Sequence, residues 1–193
     1  MKRSILITGA TGKIGKVYVK YFLEKGDQVI ALSRSKEKLD SLKSEFNLYR
    51  DNLKIITLDL MKKNFEDTLV QFLYDQNLKP NCVVNNARDI SNYKLLDDGS
   101  VGEISFINEY KLGIIVPYKI TMKLVKVNLL KLRKIVNISS IYGLVSPNSN
   151  LYNSEKEISP IHYGVTKAAL IQLTKDLAVR LARNNIQVNS IAY

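Results

Sequence analysis

The chain has 193 residues, 46% of them hydrophobic, and a formal net charge of +11. That length suits one domain with a sizeable core, and that apolar content excludes a globally disordered chain. The single cysteine, Cys82, excludes a disulfide framework and a thiolate metal site, and the lone His162 excludes a histidine zinc site.

Ser4–Thr8 is a short apolar run into Gly9 and reads as a first strand. Residues 13–25 place Ile14, Val17, Tyr18, Tyr21 and Phe22 at helical spacing, which predicts an amphipathic helix with these as its apolar face, closed by Gly26. Gln28–Ser33 is a second strand, and Ser35 can cap a helix reaching Phe46. Lys54–Leu58 is a third strand, residues 65–76 a helix and Asn81–Asn85 a fourth strand. A long helix is expected over 103–130, then a strand at Lys134–Ile138 and an irregular loop up to Pro160. Residues 162–184 form the longest helix, and Ile186–Ile191 a sixth strand. The strands are continuous apolar runs, as in a parallel sheet covered on both faces. Their alternation with helices predicts an α/β fold, a doubly wound parallel sheet in three layers, as one domain over residues 1–193. The loop 141–161, with Pro147, Asn148, Asn150, Asn153 and Pro160, is the one long irregular segment, a kind that is often functional.

Cys82 reads as a buried strand residue and His162 as a loop or helix-start residue. Met1-Lys2-Arg3-Ser4 runs straight into the first strand, too short a lead for a signal peptide. No stretch approaches the ~18 apolar residues of a membrane span, so a cytoplasmic protein with no membrane partner is expected. The basic cluster Lys123, Lys126, Lys131, Arg133 and Lys134 has no interleaved aromatic residues, so it reads as a solvated face and not a nucleic-acid site.

Chemistry is concentrated at two places. Gly9, Gly12 and Gly15 lie in the first strand–helix turn, Thr8-Gly-Ala-Thr-Gly12-Lys-Ile-Gly15. Such a turn lets a backbone approach a pyrophosphate, with the helix N-terminus at Lys13 and Ile14 facing the phosphates. The second strand ends Ser33-Arg34-Ser35 without the acid that accepts from an NAD ribose. Arg34 can instead pair with a 2′-phosphate, and Lys13 can add a second positive charge, which favours NADP over NAD. At the other end, Tyr163 and Lys167 are four apart on a helix and share a face. An ammonium beside a phenol favours the phenolate, making Tyr163 a candidate general acid/base.

Taken in order, these residues resemble the short-chain dehydrogenase/reductase family over nearly the whole chain. Gly9, Gly12 and Gly15 match its glycine turn, Asp59-Leu60 the pair that contacts adenine, and Asn85-Asn86-Ala87 its Asn-Asn-Ala motif. Ile135-Val-Asn-Ile-Ser-Ser140 matches the strand bearing the catalytic serine, Tyr163 and Lys167 the tyrosine–lysine pair, and Gln187-Val-Asn-Ser-Ile191 the sixth strand. The resemblance implies a Rossmann fold with Asn86 and Ala87 beside the cofactor. It implies that Tyr163 moves the proton on the substrate oxygen, that Ser140 hydrogen-bonds that oxygen, and that Lys167 holds the nicotinamide ribose. A hydride would pass between the nicotinamide and a hydroxyl or carbonyl carbon of a small polar, sugar-like substrate. It also implies a homodimer or homotetramer paired through residues 103–130 and 162–184.

Five departures stand out. The glycine spacing is that of the extended, sugar-nucleotide branch. Ser140 and Tyr163 are 163 − 140 = 23 residues apart, a longer interval than the short branch has. Arg88 follows Asn85-Asn86-Ala87 where a glycine is usual, and Tyr110 stands where the family has a helix asparagine that relays protons. The chain stops at Tyr193, before the substrate loop and last strand of the family, so a fragment, a truncated gene or a disrupted copy is expected. The long loop, with its Tyr152, Glu155, Pro160 and His162 spacing, looks most like oxidoreductases of flagellin or surface-glycan modification. A sugar-nucleotide epimerase or dehydratase and a non-catalytic remnant are the alternatives.

Overall fold

The computed structural model describes residues 3–93, 95–96, 98–127, 131–154 and 157–193. Glu155, the 128–130 end of the expected long helix, and Met1-Lys2 lie outside the described residues. Six strands, β1 (Ser4–Thr8), β2 (Gln28–Ser33), β3 (Leu53–Thr57), β4 (Cys82–Asn85), β5 (Lys134–Ile138) and β6 (Gln187–Ile191), form one parallel sheet. Their order is β3-β2-β1-β4-β5-β6, so the winding reverses between β1 and β4. Each crossover is helical: α1 (Lys13–Glu24), α2 (Lys36–Glu45), α3 (Phe65–Asp75), α4 (Glu103–Tyr110) continuing into α5 (Val116–Lys126), and α6 (Ile161–Leu181).

Successive strand residues bury opposite faces. Ile5 and Ile7 of β1 join Val19, Leu23, Leu39 and Leu42 of α1 and α2 in one core. Leu6 joins Leu69, Leu73, Ile120, Leu124 and Leu177 of α3, α5 and α6 in the other. The result is a three-layer doubly wound sheet, as the apolar runs predict, with each fully buried Leu or Ile contributing about 1.5–3 kcal/mol. Strand ends differ from the predicted ones by a residue: β3 begins at Leu53, β4 at Cys82 and β6 at Gln187. Ser35 caps α2 as expected, accepting from the Lys38 N–H at 3.2 Å.

Two helices differ from their sequence reading. The buried stripe of α1 is Gly15, Val19 and Leu23, whereas Ile14, Val17 and Tyr21 are 45%, 64% and 51% exposed. Gly15 decides this rotation. A Cβ there would stand 2.2 Å from the Gly9 carbonyl oxygen, so only the glycine can face the turn. The helix turns around that contact, and Tyr18 and Phe22 are left at the margin of the core. The expected helix over 103–130 is interrupted by a π-helical turn at Lys111–Ile115. Pro117 follows in the first turn of α5, where its missing N–H removes one helical donor.

Cys82 opens β4 half-buried, and burial pushes its thiol up to about 11, so it stays protonated at neutral pH. His162 is fully buried in the first turn of α6, against the rings of Tyr93 and Phe106. At the basic cluster, Lys123 pairs with Asp67, while Lys131, Arg133 and Lys134 are exposed.

Candidate active site

The β1–α1 turn is held from across the switch point. Gly9 adopts φ +65°, the left-handed region, and a Cβ on it would meet Ala87 Cα at 2.8 Å. The Thr8 hydroxyl accepts from the N–H groups of Asn86 and Ala87, both at 3.0 Å. The Asn86 amide donates to the Thr8 and Gly9 carbonyls at 3.2 Å. Asn86 and Ala87 therefore act on the glycine turn itself, fixing its shape from β4. No side chain caps α1, and its first turn has no acid, so the N–H groups of Lys13, Ile14 and Gly15 can meet an anion, the Lys16 N–H donating to the Gly12 carbonyl at 2.9 Å. Lys13 is exposed beside them. A nucleotide pyrophosphate fits this cradle: free N–H donors at a helix N-terminus, and a turn without side chains.

Arg34 and Asp59, the residues expected at the adenosine end, stand just past the ends of β2 and β3. Arg34 is ion-paired with Asp89, which raises the arginine's pKa and lowers that of the carboxyl. Asp59 accepts from the Met61 N–H at 2.9 Å, and Leu60 is buried in the core.

Ser140, Tyr163 and Lys167 gather at the carboxyl ends of β4 and β5. Ser140 follows β5 and is buried, its hydroxyl accepting from the Tyr142 N–H at 3.3 Å. The next turn, Ile141–Gly143, lies directly on α6: a Cβ on Gly143 would meet the Lys167 backbone at 2.7 Å. The Ser139 hydroxyl donates to the Lys167 carbonyl at 2.9 Å, locking the same two elements. A fully buried ladder supports them from below, with Asn85 donating to Asn137 at 2.8 Å and Asn137 to Thr174 at 2.9 Å. Lys167 is buried, and its Nζ donates to the Ile138 carbonyl at 2.7 Å. Burial lowers its pKa to about 8, Glu109 opposes that shift, and Arg88 adds to it. The same Nζ lies 5.6 Å from the centre of the Tyr163 ring.

Three further residues complete the site, two of them without any signal in the sequence. Arg88 places its guanidinium 4.1 Å from the Tyr163 ring centre and 4.0 Å from that of Tyr93. The two rings meet edge to face, 5.4 Å apart. Glu109 is buried, and its Oε2 accepts no hydrogen bond among the described residues. Tyr110, aligned with the relay asparagine, is 45% exposed instead. Of the three, only Arg88 was visible beforehand, as the side chain where glycine is usual. The loop 141–161 is irregular as expected, apart from short 3₁₀ turns at Ile141–Gly143 and Ser149–Leu151, and is tied across itself by a Tyr142–Tyr152 hydroxyl pair.

Residues 3–193 match the family model described as short chain dehydrogenase. The post-translational flagellin modification protein A of Campylobacter coli is 27% identical over 197 residues, covering 97% of this chain and 75% of that protein. The structure of ElxO with NADP bound superimposes with a TM-score of 0.82 at 29% identity, over 100% of this chain and 73% of that one. The 4-hydroxyisoleucine dehydrogenase complexed with NADH gives 0.79 at 28% identity, over 99% and 72%. Among solved chains that superimpose, the share spanned runs from 65% to 78%. No helix among the described residues is long and apolar enough to cross a membrane. The chain belongs to the short-chain dehydrogenase/reductase family of NAD(P)-dependent oxidoreductases.

Proposed function

We propose that this protein interconverts a hydroxyl and a carbonyl on a small polar, sugar-like substrate, with NADP preferred to NAD, in the cytoplasm. The observation that carries the reading is the buried Lys167 ammonium one helical turn from Tyr163, at the sheet end where an uncapped glycine turn also opens. Bound nicotinamide would supply or accept the hydride. Tyr163 gives its phenolic proton to the substrate oxygen in reduction and takes it back in oxidation. Ser140 hydrogen-bonds that oxygen, and the Lys167 ammonium favours the phenolate that remains. Gly9, Gly12, Gly15, Lys13 and Ile14 hold the pyrophosphate, Asp59 and Leu60 the adenine, and Arg34 a 2′-phosphate. The likeness to the post-translational flagellin modification protein A supports flagellin modification as the setting. The apolar outer faces of α4, α5 and α6 support self-association as a dimer or tetramer.

Tyr163→Phe tests the mechanism. Turnover of nicotinamide should fall by about a hundredfold or more, while NADPH affinity, read by fluorescence titration, stays near wild type. Turnover surviving that change would remove Tyr163 as the proton donor.

A further inference from the structure

Arg88 is the least explained charge in the site. It stands on the loop leaving β4, where its guanidinium carbon sits in the notch between two rings inclined at 65°. A guanidinium has five N–H donors and cannot lose its charge at neutral pH. Among the described residues Arg88 makes no ion pair and donates no hydrogen bond, and it is exposed to solvent at the cleft. Arg34, by contrast, is ion-paired with Asp89. The contacts with Tyr93 and Tyr163 fix where the charge is held without using its donors.

Resting on the oxidoreductase reading above, we propose that Arg88 is the anchor for a carboxylate on the substrate, a few bonds from the carbon that is oxidised or reduced. The position follows from Tyr163: a guanidinium over the ring that carries the proton-transferring hydroxyl reaches only the near end of a bound substrate. The charge follows from the neighbours. Arg88 and Lys167 bring two positive charges and the buried Glu109 one negative, leaving a net of 2 − 1 = +1. That matches a monoanion, whereas a phosphate group carries about −1.5 to −2 at neutral pH. Lys167 is buried and already donates to the Ile138 carbonyl, whereas Arg88 is exposed and its five N–H donors make no hydrogen bond among the described residues. Its paired N–H groups suit the two oxygens of a carboxylate.

The test compares matched substrates in one assay. With NADPH or NADH, kcat/KM is measured for pyruvate against methyl pyruvate and for acetoacetate against methyl acetoacetate. The wild type should favour an acid over its ester by tenfold or more. Arg88→Gln should bring that ratio to near one, and Arg88→Lys should keep part of it. Esters used as well as acids by the wild type, or an unchanged ratio in Arg88→Gln, overturns the proposal. A second measurement needs no turnover: ligand-observed NMR of malonate, and separately of inorganic phosphate, with wild type and Arg88→Gln, circular dichroism having shown the variant to be folded. Malonate signals present in the wild type and lost in the variant support the anchor. Equal malonate signals, or phosphate bound in place of malonate, overturn it. Arg88-dependent malonate binding with no turnover of any carbonyl would sink the oxidoreductase reading and leave the anion site standing.

Discussion

Lys167 shows how far one buried charge shapes the site. Burial is the larger influence and lowers its pKa from 10.5 to about 8. Glu109 partly offsets this, because its negative charge favours the ammonium. At neutral pH Lys167 is still mostly charged, as the chemistry proposed at Tyr163 needs. In the free protein, kcat/KM for carbonyl reduction should therefore fall as pH rises through about 8. Glu109→Gln removes the charge that raises this pKa, so the falling limb should move to lower pH. A limb that stayed in place would uncouple Glu109 from Lys167. The same shift affects stability. Unfolding returns Lys167 to its ordinary value of 10.5, so between about pH 8 and 10.5 the unfolded chain binds more protons. This group's contribution to stability thus rises with pH across that window.

Elements act here through their rotation. Within the stretch from Glu103 to Lys126, the family's helix asparagine aligns with Tyr110, three residues before Gly113. With the π turn at Lys111–Ile115, Glu109 is the residue buried and Tyr110 faces out. The widened turn packs through Gly113 against Thr166, the residue before Lys167, and such turns often carry function. The outer faces of these helices are apolar: Ile107 and Met122 are 50% and 38% exposed, and Val165 of α6 is 49% exposed. Burying such residues against a second copy removes them from water. Light scattering of the purified chain should give the mass of a dimer or tetramer. Ile107→Glu combined with Val165→Glu should give a monomer with unchanged far-ultraviolet circular dichroism. A wild-type monomer at high concentration would overturn the self-association.

On the scale of the whole molecule, the switch between β1 and β4 is the organising feature, because the winding reverses there and both halves send their loops to one crevice. A ligand that binds only the folded chain raises its melting temperature. NADPH at saturation should raise it by several degrees, more than NADH does, and Arg34→Ala should close the gap. To meet a 2′-phosphate, Arg34 has to share its charge with Asp89. Equal shifts with both nucleotides would overturn the preference for NADP.

Much of this architecture was legible in the chain itself. Apolar runs alternating with helical periodicity lead to a parallel doubly wound sheet, because a strand buried on both faces needs helices on both sides. The glycine turn and the Tyr163–Lys167 spacing are local patterns, readable because their partners lie within one turn of chain. Only the tertiary structure decided the rest. The face that α1 buries depends on the contact between Gly15 and the Gly9 carbonyl, and helical spacing alone selected the wrong stripe. Asn86 is committed to the glycine turn by bonds across 77 and 78 residues of sequence. Arg88 meets Tyr163, and Glu109 influences Lys167, only after β4, α4 and α6 have packed together. Sequence periodicity reports which side of an element is apolar; which charge stands beside which phenol is set by contacts between distant segments.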